Sequence, residues 1–288
     1  MKLKLRFIPQ GWQRGLKSLF PLLVLISFAT VLLVHSLPPA IAQLPRQEIR
    51  GVWMTNNDFN IMRDRTKVHD AVTQLRRLNF NTIYPVVWNS GYVMYPSAIA
   101  KREGIQPFVL KGIDGRDILA DLIAQAHRQG LLVIPWFEFG FMAPETSELA
   151  LNHPDWLTQK QDGSRTSIGA AGEVAWLNPF HPEVQKFITD LVLEIVTQYD
   201  VDGIQFDDHM SLPSEFGYDK YTVALYNQET KNNPPSNHQS AAWTRWRADK
   251  ITAFMVQLNQ AVKERKPTAI FSVSPNYYDF AYKGQPSL

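Results

Sequence analysis

The sequence contains no cysteine, which removes disulfides, thiolate metal ligands, a cysteine nucleophile and a lipid-modified cysteine, while leaving the compartment open. It also lacks a dominant charge: 29 Lys and Arg against 27 Asp and Glu leave a formal net charge of +2, without the basic excess of a nucleic-acid binder. No G-x-S-x-G elbow surrounds Ser272 or Ser274, so neither is assigned as a nucleophile. Internal repeats, low-complexity tracts and interdomain linkers are missing too, and Asn232-Asn-Pro-Pro-Ser-Asn237 is a turn-rich loop within one domain. What is present is an ordinary globular composition, 45% hydrophobic and 19% charged, enough to bury a full core. Eight Trp, ten Tyr and sixteen Phe would suit sugar rings, but a large core uses them equally well.

The N-terminus carries a targeting pattern. Lys2, Lys4, Arg6, Arg14 and Lys17 precede a nearly unbroken apolar run from Leu19 to Leu37, and Ala40-Ile-Ala42 offers a cleavage site. Residues 1–42 are therefore expected to be a signal peptide, or an N-terminal membrane anchor if uncleaved. Either way the folded part is exported, periplasmic or extracellular, and touches a membrane only through this segment. Residues 46–288 are expected to form one domain.

Beyond Arg46, strand and helix patterns alternate. Strands are expected at Glu48–Met54, Thr82–Val87, Leu131–Phe137, Gly203–Phe206 and Ala269–Val273. Apolar residues at helical spacing separate them: Val68 to Leu78 with Thr66 as cap, Ile118 to Ala126, Val184 to Val196 after Pro182, and Ile251 to Val262. Such alternation implies parallel βαβ units, an α/β fold. Pro85 and Pro135 lie awkwardly inside two of the strands, since a central strand needs its amide donors. The length beyond Ala42 matches a complete (β/α)8 TIM barrel of about 250 residues. Only about five β/α units are legible, so the chain is expected to hold part of such a barrel.

The stretch Asp202-Gly-Ile-Gln-Phe-Asp-Asp-His209 organises the rest. Ionisable side chains at the carboxyl end of an inner strand are costly to bury unless paired or used, and active sites of α/β folds sit at that end. Alternation puts Gly203, Gln205 and Asp207 on one face and Ile204, Phe206 and Asp208 on the other. The apolar pair must face the helices, which turns Asp207 inward and leaves Asp208 to face the cleft or brace the loop. Two neighbouring carboxylates push one proton affinity upward, as acid/base chemistry near neutral pH requires.

Several motifs, in order, resemble the bacterial glycosyl-hydrolase-like family 10. They are Glu48-Ile-Arg-Gly-Val-Trp53, Asn81-Thr-Ile-Tyr84, Trp136-Phe-Glu138, Trp176-Leu-Asn-Pro179, Asp202-Gly-Ile-Gln-Phe-Asp-Asp208 and Ser272-Val-Ser-Pro275. The resemblance implies an envelope-associated TIM barrel with further strands, acting on peptidoglycan glycan strands or amino-sugar exopolysaccharide. Asp202-Gly-Ile-Gln-Phe-Asp207 also looks like the D-G-F-R-x-D strand of α-amylase barrels, which puts Asp207 where their nucleophile stands. Against the chitinase D-G-x-D-x-D-x-E pattern, Gln205 and His209 replace an Asp and the acid Glu, which argues against substrate-assisted chemistry.

Glycoside hydrolysis needs a carboxylic acid and a second carboxylate across the sugar. The catalytic candidates are Asp207, Asp208, Glu138 at the end of the third strand, and Glu215 in the following loop. Trp136, Trp88, Tyr84, Asn89, Asn178, His209 and Asn276 sit at or just past strand ends and are candidates for sugar subsites. Trp53 is expected in the barrel core. No cofactor and no metal are required by this reading. A metal-dependent hydrolase or deacetylase using Asp207, Asp208 and His209 is one alternative, weakened by the lack of an H-x-H on the first strand. A non-catalytic glycan-binding barrel is another.

Overall fold

The computed structural model describes residues 48–105, 116–169 and 172–274. The segment 1–42 and Asn276 lie outside them. The element order is β1 (Gly51–Met54), α1 (Phe59–Met62), α2 (Arg65–Arg77), β2 (Thr82–Asn89), β3 (Tyr92–Val93), α3 (Ala98–Arg102), α4 (Ile118–Arg128), β4 (Leu132–Val133) and β5 (Trp136–Phe137). There follow β6 (Met142–Pro144), α5 (Glu148–Asn152), β7 (Thr166–Gly169), β8 (Gly172–Trp176), α6 (Pro182–Gln198), β9 (Gly203–Phe206), α7 (Lys220–Thr230), α8 (Ala241–Arg265) and β10 (Ile270–Val273). No helix among the described residues is long and apolar enough to cross a membrane.

The main sheet runs β1-β2-β5-β9-β10, each pair parallel, with β4 also parallel to β2 and short β3 antiparallel to it. The five expected strands are all present. The third is split at Ile134-Pro135, which gives β4 and β5. Pro135 has no N–H to offer, yet its carbonyl still accepts from Gln205 N at 2.8 Å, so the ladder to β9 continues. Helix faces pack as their spacing requires: Ile118, Leu119, Leu122 and Ala126 of α4 and Val184, Phe187, Leu191 and Ile195 of α6 are buried. The cap of α2 is Asp64, which accepts from Thr66 N and Lys67 N, two residues earlier than the expected Thr66.

Two findings depart from expectation. Trp53 is 46% exposed, not core. Strand β1 is an edge of the sheet, paired with β2 alone among the described residues, so one flank of Trp53 has no neighbour. Its ring stacks on Tyr84 at 5.2 Å and meets the edge of Trp136 at 6.4 Å. The second is an unforeseen three-stranded antiparallel sheet, β6-β8-β7, inserted between β5 and α6. It stands beside the carboxyl end of β9, because Phe141 N donates to His209 O at 3.0 Å and Trp176 Nε1 donates to Ser211 O at 3.1 Å.

Candidate active site

Strands β5 and β9 pair in simple register, Trp136 with Gln205 and Phe137 with Phe206. Phe137, Phe206 and Phe271 pack together on the helix-facing side, with ring centroids 5.4 and 5.3 Å apart. Alternation therefore turns Trp136 and Gln205 to the inner face. The next inner positions on the same two strands are Glu138 and Asp207, side by side at the carboxyl ends. Strand β2 brings a third residue through a bulge between Val86 and Trp88. The extra residue reverses the alternation, so Asn89 turns inward and its Nδ2 donates to Glu138 Oε2 at 2.6 Å.

Asp207 is held at both oxygens. Trp136 Nε1 donates to Oδ2 at 3.1 Å, and His209 N donates to Oδ1 at 3.3 Å. The His209 ring sits among the acids: Nδ1 lies 3.5 Å from an oxygen of Asp207 and of Asp208, and 2.8 Å from the Glu138 carbonyl. Phe139 stacks on the same ring at 5.9 Å. A Cβ at Gly140 would fall 2.5 Å from the His209 carbonyl carbon, so glycine is needed for this close approach of two loops.

Burial raises the Asp207 carboxyl above its ordinary range, against the lowering pull of His209. Glu138 is also raised, chiefly by burial and further by the charge of Asp207, while the Asn89 amide and His209 act against it. Burial works against the His209 cation, but Asp207, Asp208 and the Glu138 carbonyl outweigh it and lift the imidazole to about 8. Two acids that hold protons longer than usual thus share a site with an imidazolium, an arrangement suited to proton transfer. On the inner face Gln205 is buried, and its Oε1 has no partner among the described residues. Its inward direction follows from the strand alternation.

The remaining candidates fall into two groups. Tyr84 is on the inner face beneath Trp53. Asp208 is about a third exposed, and its main-chain carbonyl accepts from Ser211 Oγ. Trp88, in contrast, is fully buried on the helix side, where it packs on Phe187 and donates to Gly140 O at 2.9 Å. It is a core residue, displaced from the inner face by the bulge. Asn178 is no sugar ligand either: it is buried, with Nδ2 donating to Asp219 Oδ1 and Thr222 Oγ1 at 2.9 Å. Glu215 is placed away from the acid group, against Ser167 Oγ at 3.3 Å and Lys160 Nζ at 3.8 Å. Neither of those two partners carried any signal in the sequence.

Asp207, Asp208 and His209 also offer ligand atoms within 4.8 Å of one another, a spacing a cation could use. All three come from one tripeptide, and His209 Nδ1 is committed to the Glu138 carbonyl, which leaves Nε2 as its donor to a metal.

A mostly parallel α/β sheet with acids gathered at the strand carboxyl ends defines an α/β protein whose candidate acid/base site lies at the end where such folds carry their active sites. Solved structures agree on the fold. The PgaB (BpsB) glycoside hydrolase domain from Bordetella bronchiseptica superposes with a TM-score of 0.59, at 15% identity over 79% of this chain and 65% of that one. α-L-Fucosidase isoenzyme 2 from Paenibacillus thiaminolyticus gives 0.54, at 20% identity over 79% of this chain and 32% of the other. These neighbours have (β/α)8 barrel-type folds. The chain belongs to the family Glycosyl hydrolase-like 10, whose model matches residues 48–285. Glycosyl hydrolase DigH of Escherichia coli (strain K12) is 27% identical over 83% of this chain and 58% of its own length. Glycosyl hydrolase YngK of Bacillus subtilis (strain 168) is 24% identical over 80% and 45%. The chain thus spans about half the length of these curated relatives.

Proposed function

We propose that the protein is an exported glycosidase that cleaves an envelope polysaccharide, either peptidoglycan glycan strands or an amino-sugar exopolysaccharide, within a TIM-barrel framework of which this chain holds about five β/α units. The observation that carries the reading is the adjacency of Glu138 and Asp207 on paired strands, both with raised proton affinity. Glu138 is the proton donor to the leaving oxygen. It is half-buried and lies beside the Asp207 charge, which keeps a carboxyl protonated longer. Asp207 is the carboxylate that faces the sugar; the Trp136 and His209 N–H groups bond to it, and His209 acts against the burial that raises its proton affinity. Asp208 and His209 complete the local charge balance, and Tyr84, Asn89 and Trp136 line or support the cleft.

The test is digestion of purified peptidoglycan strands and poly-glucosamine by the protein and by Asp207→Asn, with mass analysis of the products. New reducing ends that disappear in the variant support the reading, and equal turnover by both proteins sinks it. The 4.8 Å grouping of Asp207, Asp208 and His209 favours one second reading, a metal-dependent hydrolase or deacetylase. Complete loss of activity on chelation, restored by a divalent cation, would select it.

A further inference from the structure

The loop that leaves the carboxylate strand is clamped by a buried cation. Arg247 of α8 is fully buried; the Glu215 charge acts on it, but among the described residues no carboxylate makes an ion pair with it. Its donors go to main-chain carbonyls instead: Nη1 to Ser214 O and Phe216 O, each at 2.6 Å, and Nη2 to His238 O at 2.9 Å. Its guanidinium lies 4.8 Å from the Trp243 ring. Burial pulls the guanidinium down to about 10, a measure of how costly the position is. Ser214 and Phe216 bracket Glu215. The other side of the loop is fixed as well, by a main-chain bridge between Lys160 and Phe216 and by Gly217 N donating to Thr158 Oγ1 at 3.1 Å. Gly217 has φ +100, and a Cβ there would press on Trp243 and Arg247 at 3.1 and 3.2 Å.

This rigid frame presents one charged group. Glu215 has a side chain 36% exposed, accepts from Ser167 Oγ at 3.3 Å, and faces Lys160 Nζ at 3.8 Å, too far for a hydrogen bond. An acceptor and a donor held slightly apart match two adjacent hydroxyls, one donating to the carboxylate and one accepting from the ammonium. We propose that Glu215, Lys160 and Ser167 form a rim subsite for a vicinal diol of a pyranose unit, with Arg247 as the residue that positions it. The proposal rests on the glycan reading above. It reassigns Glu215 from proton donor to substrate holder.

Linkage chemistry supplies the discriminating probe. Inside a 1,6-linked hexosamine chain each ring keeps adjacent hydroxyls at positions 3 and 4, whereas in a 1,4-linked chain position 4 is occupied. Glu215→Gln and Lys160→Met should raise KM about tenfold on a 1,6-linked glucosamine hexamer, the loss expected for one charge-assisted hydrogen bond, with kcat within twofold. The 1,4-linked hexamer should show no such change. Arg247→Lys, confirmed as folded by its melting transition, keeps the charge but not the fork and should reproduce the KM effect. A fall in kcat at constant KM, or equal losses on both hexamers, overturns the assignment. Calorimetric binding of the 1,6-linked hexamer to Asp207→Asn, with and without Glu215→Gln, separates the two hypotheses. A protein that binds through Glu215 but never hydrolyses refutes the glycosidase reading alone, and binding indifferent to Glu215 refutes the subsite alone.

Discussion

The indole Nε1 of Trp136 donates to Oδ2 of Asp207 at 3.1 Å, and both side chains stand on the inner face of adjacent parallel strands. Trp136 is nearly buried, with its edge against Trp53. Its described role is therefore to hold a carboxylate. The open aromatic face of this cluster belongs to Trp53, an edge-strand residue.

Replacing Trp136 by Phe removes the N–H and keeps an aromatic edge near Trp53. A hydrogen bond to the charged form of an acid lowers its pKa, so its loss should raise the Asp207 pKa. The acidic limb of the kcat/KM profile should move to higher pH, with about a tenfold drop in rate for one lost hydrogen bond. A profile that keeps its acidic limb would show that the contact does not tune Asp207.

Glu138→Gln separates activity from stability. The carboxyl is raised mainly by burial, so ionising it in the fold carries a cost that a neutral amide avoids. Gln can still accept from Asn89. Activity should fall by roughly 10²–10⁴, as for loss of a general acid, while the melting temperature at pH 7 should rise. A less stable variant, or one with undiminished turnover, contradicts this assignment.

Much of this site was legible because β9 is short and free of proline or bulge. Gly203, Gln205 and Asp207 share a face as simple alternation requires. The same rule failed at Trp88 and Asn89, since the bulge after Val86 arises from pairing with β5 and not from local residues. Asn178 resembled a strand-end amide, but its partners Asp219 and Thr222 are 41 and 44 residues away. The inserted β6-β8-β7 sheet has strands of three to five residues, one ending in Pro144, too short for a periodic signal. Helix α7 escaped notice because its buried face is small, Thr222 and Tyr226.

His209 should make stability depend on pH. Its folded value is about 8 against an ordinary 6.5, so the fold binds the proton more tightly than the unfolded chain. The contribution is complete below about 6.5 and is lost as pH rises through about 8. With roughly a third of the side chain exposed, it is on the order of 1 kcal/mol after solvent screening. Urea midpoints measured from pH 6 to 9 should decline across this window for the protein and stay flatter for His209→Asn. Identical slopes in the two proteins would assign the decline elsewhere.

The strand register also bears on stereochemistry. Glu138 and Asp207 are equivalent inner positions one step past the pairs Trp136–Gln205 and Phe137–Phe206, and no bulge intervenes between β5 and β9. Neighbouring strands run about 4.8 Å apart, so side chains projecting in parallel from them keep a similar separation. Retaining glycosidases place their carboxyl groups about 5–5.5 Å apart, whereas inverting ones need roughly 6.5–9.5 Å to admit a water. Strand spacing alone thus favours the shorter, retaining geometry, and the products should retain the anomeric configuration through a glycosyl ester on Asp207. Proton NMR of the first product formed, recorded before mutarotation, reads this directly. Inversion would mean that the second carboxylate is not Glu138 but a group farther across the cleft.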